Sequence, residues 1–235
     1  MSRYGSHMRS LLEIVAPDRC AACGSSSDGE LCEPCAGRVG VIGPDVCARC
    51  GDPGNPARAS TAPCPCADLG AFRRARSLLV FADPARALTL SIKRRARGDT
   101  IRAVGGLLAS LARREGLTPP GVVVAHVPAG RSASTRGFDH AGLIARATAA
   151  ALAVAARRLL VRAREGPRQA DVPLDRRRAN VAGRFAARYA DGPVLLIDDV
   201  FTTGATAESC AGALIQAGAA SVDVLTWART LRRRI

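Results

Sequence analysis

The chain is poor in lysine, in aromatic residues and in long apolar runs. Lys93 is the single lysine among 34 basic residues, and aromatic residues make up 3% of the 235 residues. The aromatics are few and scattered, so the sequence offers no evident platform on which nucleic-acid bases would stack. No apolar run reaches the roughly 18 residues that a membrane span needs, and no segment has the pattern of a secretory signal. These absences predict a cytoplasmic protein without membrane insertion.

The net positive charge is confined to the second part of the chain. The formal net charge is +14, and 28 of the 34 basic residues but 12 of the 20 acidic ones lie in residues 71–235. Such an excess attracts a polyanionic ligand or nucleic acid. The alternative is that arginine, together with abundant alanine, reflects a GC-rich genome and fills solvated positions. The sequence shows no Ser/His/Asp order and no Walker-type phosphate loop.

Cysteine is concentrated near the amino terminus. Eight of the nine cysteines form four close pairs in a background of Gly, Pro, Ser and Asp. In a cytosolic chain this spacing favours metal over disulfides or a redox motif, and two Cys-x-x-Cys turns complete one tetrahedral zinc site. We therefore expect one or two closed, structural zinc sites, the first from Cys20, Cys23, Cys32 and Cys35 and the second from Cys47, Cys50, Cys64 and Cys66. The lone Cys210 is expected to be a small buried hydrophobe.

The segment from Val194 to Thr206, VLLIDDVFTTGAT, joins an apolar run to two carboxylates and a hydroxyl-rich turn. The apolar run predicts a strand buried in a parallel sheet, and α/β folds bind ligands at the ends of such strands. Free amides at the start of the following helix favour a phosphate. Asp198 and Asp199 would point to opposite faces of a regular strand, so both reach one ligand only where the strand turns. The pattern indicates a phosphorylated ribose; the alternative is an ordinary strand-to-helix connection capped by Thr206.

Strand and helix patterns alternate after the cysteine-rich segment. The sequence predicts strands over 76–81, 121–127, 158–162, 194–197 and 222–227, and helices over 84–97, 100–115, 138–156 and 206–217. A polar helical turn or loop is expected over 175–181. This alternation predicts an α/β fold with a mainly parallel sheet flanked by helices. The predicted domains are a cysteine-rich module at 9–70 and an α/β domain at 71–235.

Several positions outside the acidic motif are candidates for contact with a phosphorylated ligand. The turn at 128–131 follows a predicted strand, and the planar guanidinium of Arg131 suits pyrophosphate; a solvated loop arginine is the alternative. Arg136 precedes Gly137, either a hinge of a loop that closes over substrate or part of a plain loop before a helix. Lys93 either pairs with phosphate or stabilises the C-terminus of its own helix. The histidines at 126 and 140 are expected to be structural rather than catalytic.

The segment from Val194 to Thr206 resembles the phosphoribosyl pyrophosphate signature of type I phosphoribosyltransferases. The resemblance implies that Asp198 and Asp199 bind the ribose 2′- and 3′-hydroxyls. It assigns the 5′-phosphate to the residues of the following turn, Thr202, Thr203, Gly204, Ala205 and Thr206. The turn described above, Pro128, Ala129, Gly130 and Arg131, is predicted to contact the pyrophosphate.

The order of three further segments behind the cysteine module resembles the ComF family of competence-associated phosphoribosyltransferase-like proteins. The segments are VPAGR at 127–131 with TRGFDH at 135–140, RQ at 168–169 with RRAN at 177–180, and IK at 92–93 with RGD at 97–99. The resemblance runs from about Leu11 to Arg229. The chain departs from it at Asp139 and His140, where the family commonly has Asn and Gln, and at 125–126, where Ala-His replaces Val-Pro. The first departure alters the loop that faces the acceptor.

The ComF resemblance implies a type I phosphoribosyltransferase fold preceded by a zinc-ribbon-like module. Its ligand would be phosphoribosyl pyrophosphate with Mg²⁺, and an enzyme of this kind displaces pyrophosphate at the anomeric carbon. Asp198, Asp199 and Arg131 would then be catalytic, while a substrate loop would include Lys93, Arg136, Gly137 and Asp139. Two alternatives remain: a DNA-uptake module for natural transformation, binding single-stranded DNA and a helicase-like partner without transfer, and a regulatory protein that senses phosphoribosyl pyrophosphate.

Overall fold

The computed structural model describes residues 19–54, 64, 66, 69–130, 139–162 and 184–231. No helix within these ranges is long and apolar enough to cross a membrane. In chain order the elements are α1 Glu33–Ala36, β1 Arg74–Val80, α2 Ala85–Arg95, α3 Gly98–Arg114, β2 Val123–His126, α4 His140–Leu152, β3 Leu160–Arg162, β4 Phe185–Ala187, β5 Pro193–Phe201, α5 Ala205–Gln216 and β6 Ser221–Arg229.

A four-stranded sheet of order β1-β6-β5-β2 forms the centre of the molecule, and all its neighbouring strands pair in parallel. The predicted α/β fold with a parallel sheet is therefore confirmed. A second, two-stranded sheet pairs β3 with β4 in antiparallel fashion. The sequence did not predict β4, whose three residues are too few to show a periodic pattern. The turn expected over 175–181 lies outside the described residues.

The two faces of the sheet pack against different partners. Val194 and Leu196 of β5 face a core shared with α5, whereas Leu195 and Ile197 face a core built from α2, α3 and α4. This alternation follows from the two-residue period of a strand. Because both faces are covered, the continuous apolar run of β5 is buried as predicted.

The cysteine-rich module packs directly on the sheet. The Ile42 amide donates to Leu78 O at 2.9 Å, and the Val80 amide donates to Gly40 O at 2.8 Å. These bonds cover the free edge of β1, which would otherwise expose unpaired backbone groups. Three cysteines of the module also belong to the core that contains Val194 and Leu196, namely Cys47, Cys50 and Cys66. The module and the sheet therefore share one core.

Candidate ligand site and metal centres

The acidic pair lies inside β5, not in a turn after it. The strand continues to Phe201, and its register pairs Asp198 with Thr226 and Val200 with Ala228 of β6. The alternation of the strand therefore extends through the pair, with Asp198 on the α5 face and Asp199 on the face of α2 and α4. The two carboxylates lie on opposite faces, which is the arrangement expected of a regular strand.

Asp199 is bound by two basic side chains. Its Oδ2 forms an ion pair with Lys93 Nζ from α2 and lies 2.9 Å from His140 Nε2 at the start of α4. Its Oδ1 accepts a hydrogen bond from the Val200 amide at 2.7 Å. Burial opposes ionisation of this carboxyl, but the hydrogen bond from His140 and the charge of Lys93 lower its pKa well below the usual range. Asp199 is therefore the ionised member of the pair.

Asp198 has the opposite environment. Burial, followed by the nearby charge of Asp199, raises the pKa of Asp198 well above its usual value. The Asp199 amide donates to Asp198 Oδ1 at 2.8 Å. On the same face, burial and then the charge of Asp198 raise the pKa of the Cys210 thiol in α5. A carboxyl with a raised pKa is unfavourable for folding at neutral pH and typical of a functional site.

The start of α4 is fixed by a carboxylate and an imidazole. Asp139 caps the helix by accepting from the Gly142 amide at 3.1 Å, and its Oδ2 lies 3.0 Å from His126 Nε2. Burial opposes ionisation of Asp139, but the contact with His126 lowers its pKa. His126 thus has the structural role expected of it, while the contact of His140 with Asp199 was not expected. The signal in the sequence for this contact was that His140 directly follows Asp139, the aspartate that caps the helix.

The turn after β5 brings the five predicted 5′-phosphate residues to the N-terminus of α5. Helix α5 begins at Ala205 with Gly204 as its N-cap, so the alternative in which Thr206 caps it is wrong. Gly204 has φ +84°, and a Cβ there would lie 2.8 Å from Phe201 Cζ and 2.9 Å from Leu69 Cδ1. Only glycine fits this close, left-handed position. The hydroxyl-bearing Thr202, Thr203 and Thr206 surround it and are half-buried.

The turn predicted to bind pyrophosphate lies beside an arginine that the sequence reasoning missed. Arg162, the last residue of β3, donates from Nε to Pro128 O at 3.1 Å, and its Cζ lies 3.8 Å from the position of a Cβ on Gly130. Its guanidinium stacks 5.0 Å from the centroid of the Phe185 ring. Ala129 lies between Pro128 and Gly130, the two residues that Arg162 approaches. The predicted residues Arg131, Arg136 and Gly137 lie outside the described residues.

The eight paired cysteines form two clusters, with the membership that their spacing predicts. Within each cluster the four sulfurs lie within 4.8 Å of one another, and the contacts Cys23–Cys32, Cys47–Cys66 and Cys50–Cys64 measure 3.6, 3.8 and 3.6 Å. A tetrahedral zinc with Zn–S bonds of about 2.3 Å separates its sulfurs by about 3.8 Å. A disulfide would bring two sulfurs to about 2.05 Å. The donor set and its spacing fit two structural zinc ions.

The first turn of each cluster has the same backbone geometry. The Gly24 amide donates to Cys20 O and the Gly51 amide to Cys47 O, both at 2.9 Å. Gly24 and Gly51 have φ +75° and +70°, which explains the glycine after the first Cys-x-x-Cys pair of each cluster. Such turns aim two thiolates at one ion.

The thiols of the clusters differ in how readily they ionise. A backbone hydrogen bond from Cys23 lowers the pKa of Cys20 to about 6, whereas the neighbouring Cys32 thiol raises that of Cys35 to about 12. In the second cluster, burial raises the pKa of Cys50 to about 11. Binding of a divalent ion would therefore release protons from the thiols of raised pKa.

A comparison with protein-family models supports the interpretation of the cysteine-rich segment as a zinc-binding module. Residues 11–68 match the family model described as the double zinc ribbon domain. No curated protein matches the chain. Similar solved structures include the allosteric regulatory enzyme of purine biosynthesis (20% identity, TM-score 0.37) and glutamine phosphoribosylpyrophosphate amidotransferase from B. subtilis complexed with ADP and GMP (20%, 0.38). Each match covers 59% of this chain and 30% of the other. At these TM-scores the likeness adds nothing to the parallel α/β sheet described above.

Proposed function

We propose that this chain binds phosphoribosyl pyrophosphate with Mg²⁺ and is a phosphoribosyltransferase-like protein of the ComF type. The order of motifs in the sequence supports the family. The observation that carries the proposal is Asp198, a half-buried carboxyl of raised pKa inside the central parallel strand β5. It lies on the same face as α5, whose N-terminus follows the glycine-containing turn.

The 5′-phosphate is assigned to the turn from Thr202 to Thr206. The positive end of the α5 dipole and the amides of its first turn favour an anion there. The absence of a side chain at Gly204 lets the backbone approach the phosphate closely, and the surrounding hydroxyls add donors.

The ribose is assigned first to Asp198 and then to Asp199. Asp198 lies on the face of the phosphate turn, whereas Asp199 is held on the opposite face by Lys93 and His140. For both carboxylates to accept from ribose hydroxyls, Asp199 must exchange these partners for the ligand, and the strand must turn at the acidic pair when the ligand binds. Lys93, only 26% exposed and already at the site, then becomes available to a ligand phosphate.

The pyrophosphate is assigned to Pro128, Ala129 and Gly130, with Arg162 and Arg131 as its cationic partners. The Nε of Arg162 is fixed by Pro128 O, and the ring of Phe185 supports its guanidinium plane. This orientation leaves the planar fork of the guanidinium to face a diphosphate.

If the chain is an enzyme, it transfers the phosphoribosyl group by displacing pyrophosphate at the anomeric carbon. Positive charge develops on the ribose in an oxocarbenium-like transition state, and Asp199, the ionised carboxylate, stabilises it. Arg162 and Arg131 stabilise the leaving pyrophosphate. Mg²⁺ would be bound through oxygen ligands, which it prefers to the thiols of the two clusters, and would offset the charge of the pyrophosphate. The rest of the rate enhancement comes from positioning.

Isothermal titration calorimetry with phosphoribosyl pyrophosphate and Mg²⁺ tests the proposed function. The wild type is expected to release heat with one-site stoichiometry, and the Asp198→Ala, Asp199→Ala double variant is expected to lose it. The matched control is Asp191→Ala, since Asp191 is an exposed carboxylate at the other end of the sheet, 3.9 Å from Arg157. Absence of heat with the wild type, or an unchanged isotherm in the double variant, would contradict the proposal.

A second candidate function is binding of single-stranded DNA, together with the helicase-like partner that the family resemblance implies. It is supported by the exposed Arg94 and Arg95 at the end of α2, beside Lys93. Arginine contacts to phosphates release counterions, so the affinity must fall steeply as salt rises. A fluorescence anisotropy titration at several salt concentrations separates this function from ligand binding. A flat or absent response removes it, and turnover assays with candidate acceptors separate an enzyme from a sensor.

A further inference from the structure

Arg229, the last residue of β6, is 0% exposed and lies between the second cysteine cluster and the phosphate turn. Its Nη1 donates to Cys50 O at 2.6 Å. Asp52 Oδ2 lies 3.7 Å from Nη2, beyond hydrogen-bond distance, and among the described residues Nε and Nη2 have no hydrogen-bond partner. A buried guanidinium with so few partners is unfavourable unless a further negative charge lies nearby.

The second cysteine cluster can provide that charge. A zinc ion with four thiolate ligands has a net charge of about −2, and Arg229 contacts the carbonyl of one of the four cysteines. Outer partners of this kind orient metal ligands and tune the site. The burial of Arg229 is therefore explained by a metal-loaded second cluster.

On its other side Arg229 contacts the residues beneath the phosphate turn. Its guanidinium carbon lies 5.1 Å from the centroid of the Phe201 ring. That ring supports Gly204, where even a Cβ would come within 2.8 Å of Phe201 Cζ. One continuous series of contacts thus runs from the metal ligand Cys50 through the guanidinium of Arg229 and the ring of Phe201 to the phosphate turn.

Two further contacts join the same cluster to the same turn. The Leu69 amide donates to Cys66 O at 3.0 Å, and the Leu69 side chain packs against Gly204 beside Phe201. The next two amides, Gly70 and Ala71, donate to Glu208 Oε1 in the first turn of α5 at 2.7 and 2.8 Å. The segment that leaves the second cluster therefore holds both the turn and the helix that follows it.

We propose that Arg229 is a positioning residue through which metal binding at the second cysteine cluster holds the phosphate turn in its binding geometry. Loss of that metal leaves the guanidinium with Asp52, 3.7 Å away, as its one nearby counter-charge among the described residues, and loosens the turn. As a statement about ligand affinity the proposal rests on the proposed function; as a statement about the turn's mobility it does not. The first cluster packs elsewhere: its Glu30 accepts from Ser91 of α2 at 2.6 Å.

Hydrogen exchange of the amides at 202–206, followed by mass spectrometry, tests the coupling without any ligand. The Cys47→Ser, Cys66→Ser variant is expected to lose one zinc by metal analysis and to exchange these amides faster, by on the order of tenfold. The matched Cys20→Ser, Cys35→Ser variant of the first cluster is expected to lose one zinc and to keep the exchange of the turn at the wild-type rate. Unchanged exchange in the first variant, or an equal increase in both, overturns the proposal.

Arg229→Lys keeps all eight cysteines, so the proposal stays testable if the cysteine variant does not fold. This variant is expected to retain zinc and still exchange the turn faster, because lysine cannot both reach Cys50 O and cover the Phe201 ring. Arg157→Lys, at an exposed site, is the control. Wild-type exchange in Arg229→Lys contradicts the role of Arg229. If the wild type binds no phosphoribosyl pyrophosphate while the exchange results hold, the proposed function fails and the coupling stands.

Discussion

At the residue scale, the acidic pair of β5 combines a carboxyl whose pKa is raised by burial with one whose pKa is lowered by two basic groups. The folded-state pKa of Asp198 is raised, so its favourable contribution is complete below the unfolded pKa of about 3.9 and is lost as the pH rises through the folded pKa. The pKa of Asp199 is lowered, so its contribution is present above about 3.9 and is lost as the pH falls. At neutral pH the first residue destabilises the fold and the second stabilises it.

Asp198→Asn is expected to stabilise the protein, because asparagine has nearly the same shape without a carboxyl whose ionisation the fold opposes. The gain in unfolding free energy should be about 1–3 kcal/mol at pH 8 and should shrink toward pH 4. Thermal unfolding at the two pH values measures it, while calorimetry should show weaker ligand binding. A variant that is less stable than the wild type at pH 8 would refute the raised pKa of Asp198.

Asp199→Asn should have the opposite effect at neutral pH. It removes the charge that pairs with Lys93 and His140 and leaves a partly buried ammonium without its carboxylate. The expected loss is about 1–3 kcal/mol in chemical denaturation at pH 7. Equal stabilities of the Asp198→Asn and Asp199→Asn variants would show that the two environments do not differ.

Sequence reasoning located these acids but not their partners. The run VLLIDDVFTTGAT is local, so thirteen consecutive residues are enough to predict its strand, its acidic pair and the start of the next helix. Lys93 and His140 belong to other helices, and Arg229 reaches a carbonyl 179 residues away. Contacts of this kind depend on the topology of the sheet, which a single sequence does not specify. Arg162 was missed for the same reason, because its partner Pro128 is 34 residues away.

At the scale of elements, α3 and α4 approach most closely at a glycine. A Cβ on Gly105 would lie 2.5 Å from Ala147 Cβ of α4, whereas the neighbouring Gly106 has no atom within 4 Å of that position. Gly105→Ala is therefore expected to destabilise the protein by about 1–3 kcal/mol through overpacking. Gly106→Ala should stabilise it by about 0.5–1 kcal/mol, because alanine favours a helix. Urea denaturation of both variants measures the pair, and a destabilising Gly106→Ala would contradict this packing.

The elements were predictable where their patterns were long. The apolar runs of β2, β5 and β6 and the periodicity of α3 and α5 were sufficient to place them. Their ends were less predictable: α4 ends at Leu152, four residues early, because Ala153 adopts a left-handed conformation with φ +59°. Strand β5 extends four residues beyond Ile197, because pairing with β6 continues past the apolar run. Tertiary pairing, not local preference, determines that end.

At the scale of the whole molecule, the cysteine module and the α/β sheet share one core, so metal content and global stability are linked. Purified protein is expected to contain two zinc ions per chain by mass spectrometric metal analysis, one for each cluster. Removal of zinc by a strong chelator should lower the unfolding midpoint, because metal binding contributes directly to folding. Cys210→Ala, which changes the one cysteine outside the clusters, should retain both ions. A single zinc, or an unchanged midpoint after chelation, would be inconsistent with this structure.

The central claim is that the aspartates of β5 and the turn before α5 bind an activated, phosphorylated ribose. A crystal structure with phosphoribosyl pyrophosphate and Mg²⁺ tests it most directly. The account predicts the 5′-phosphate at hydrogen-bond distance, about 2.7–3.2 Å, from amides of residues 202–206, with ribose hydroxyls on Asp198 and with Lys93 released from Asp199. Density for the ligand at another place, or an empty turn at saturating ligand with Lys93 still paired to Asp199, would contradict it.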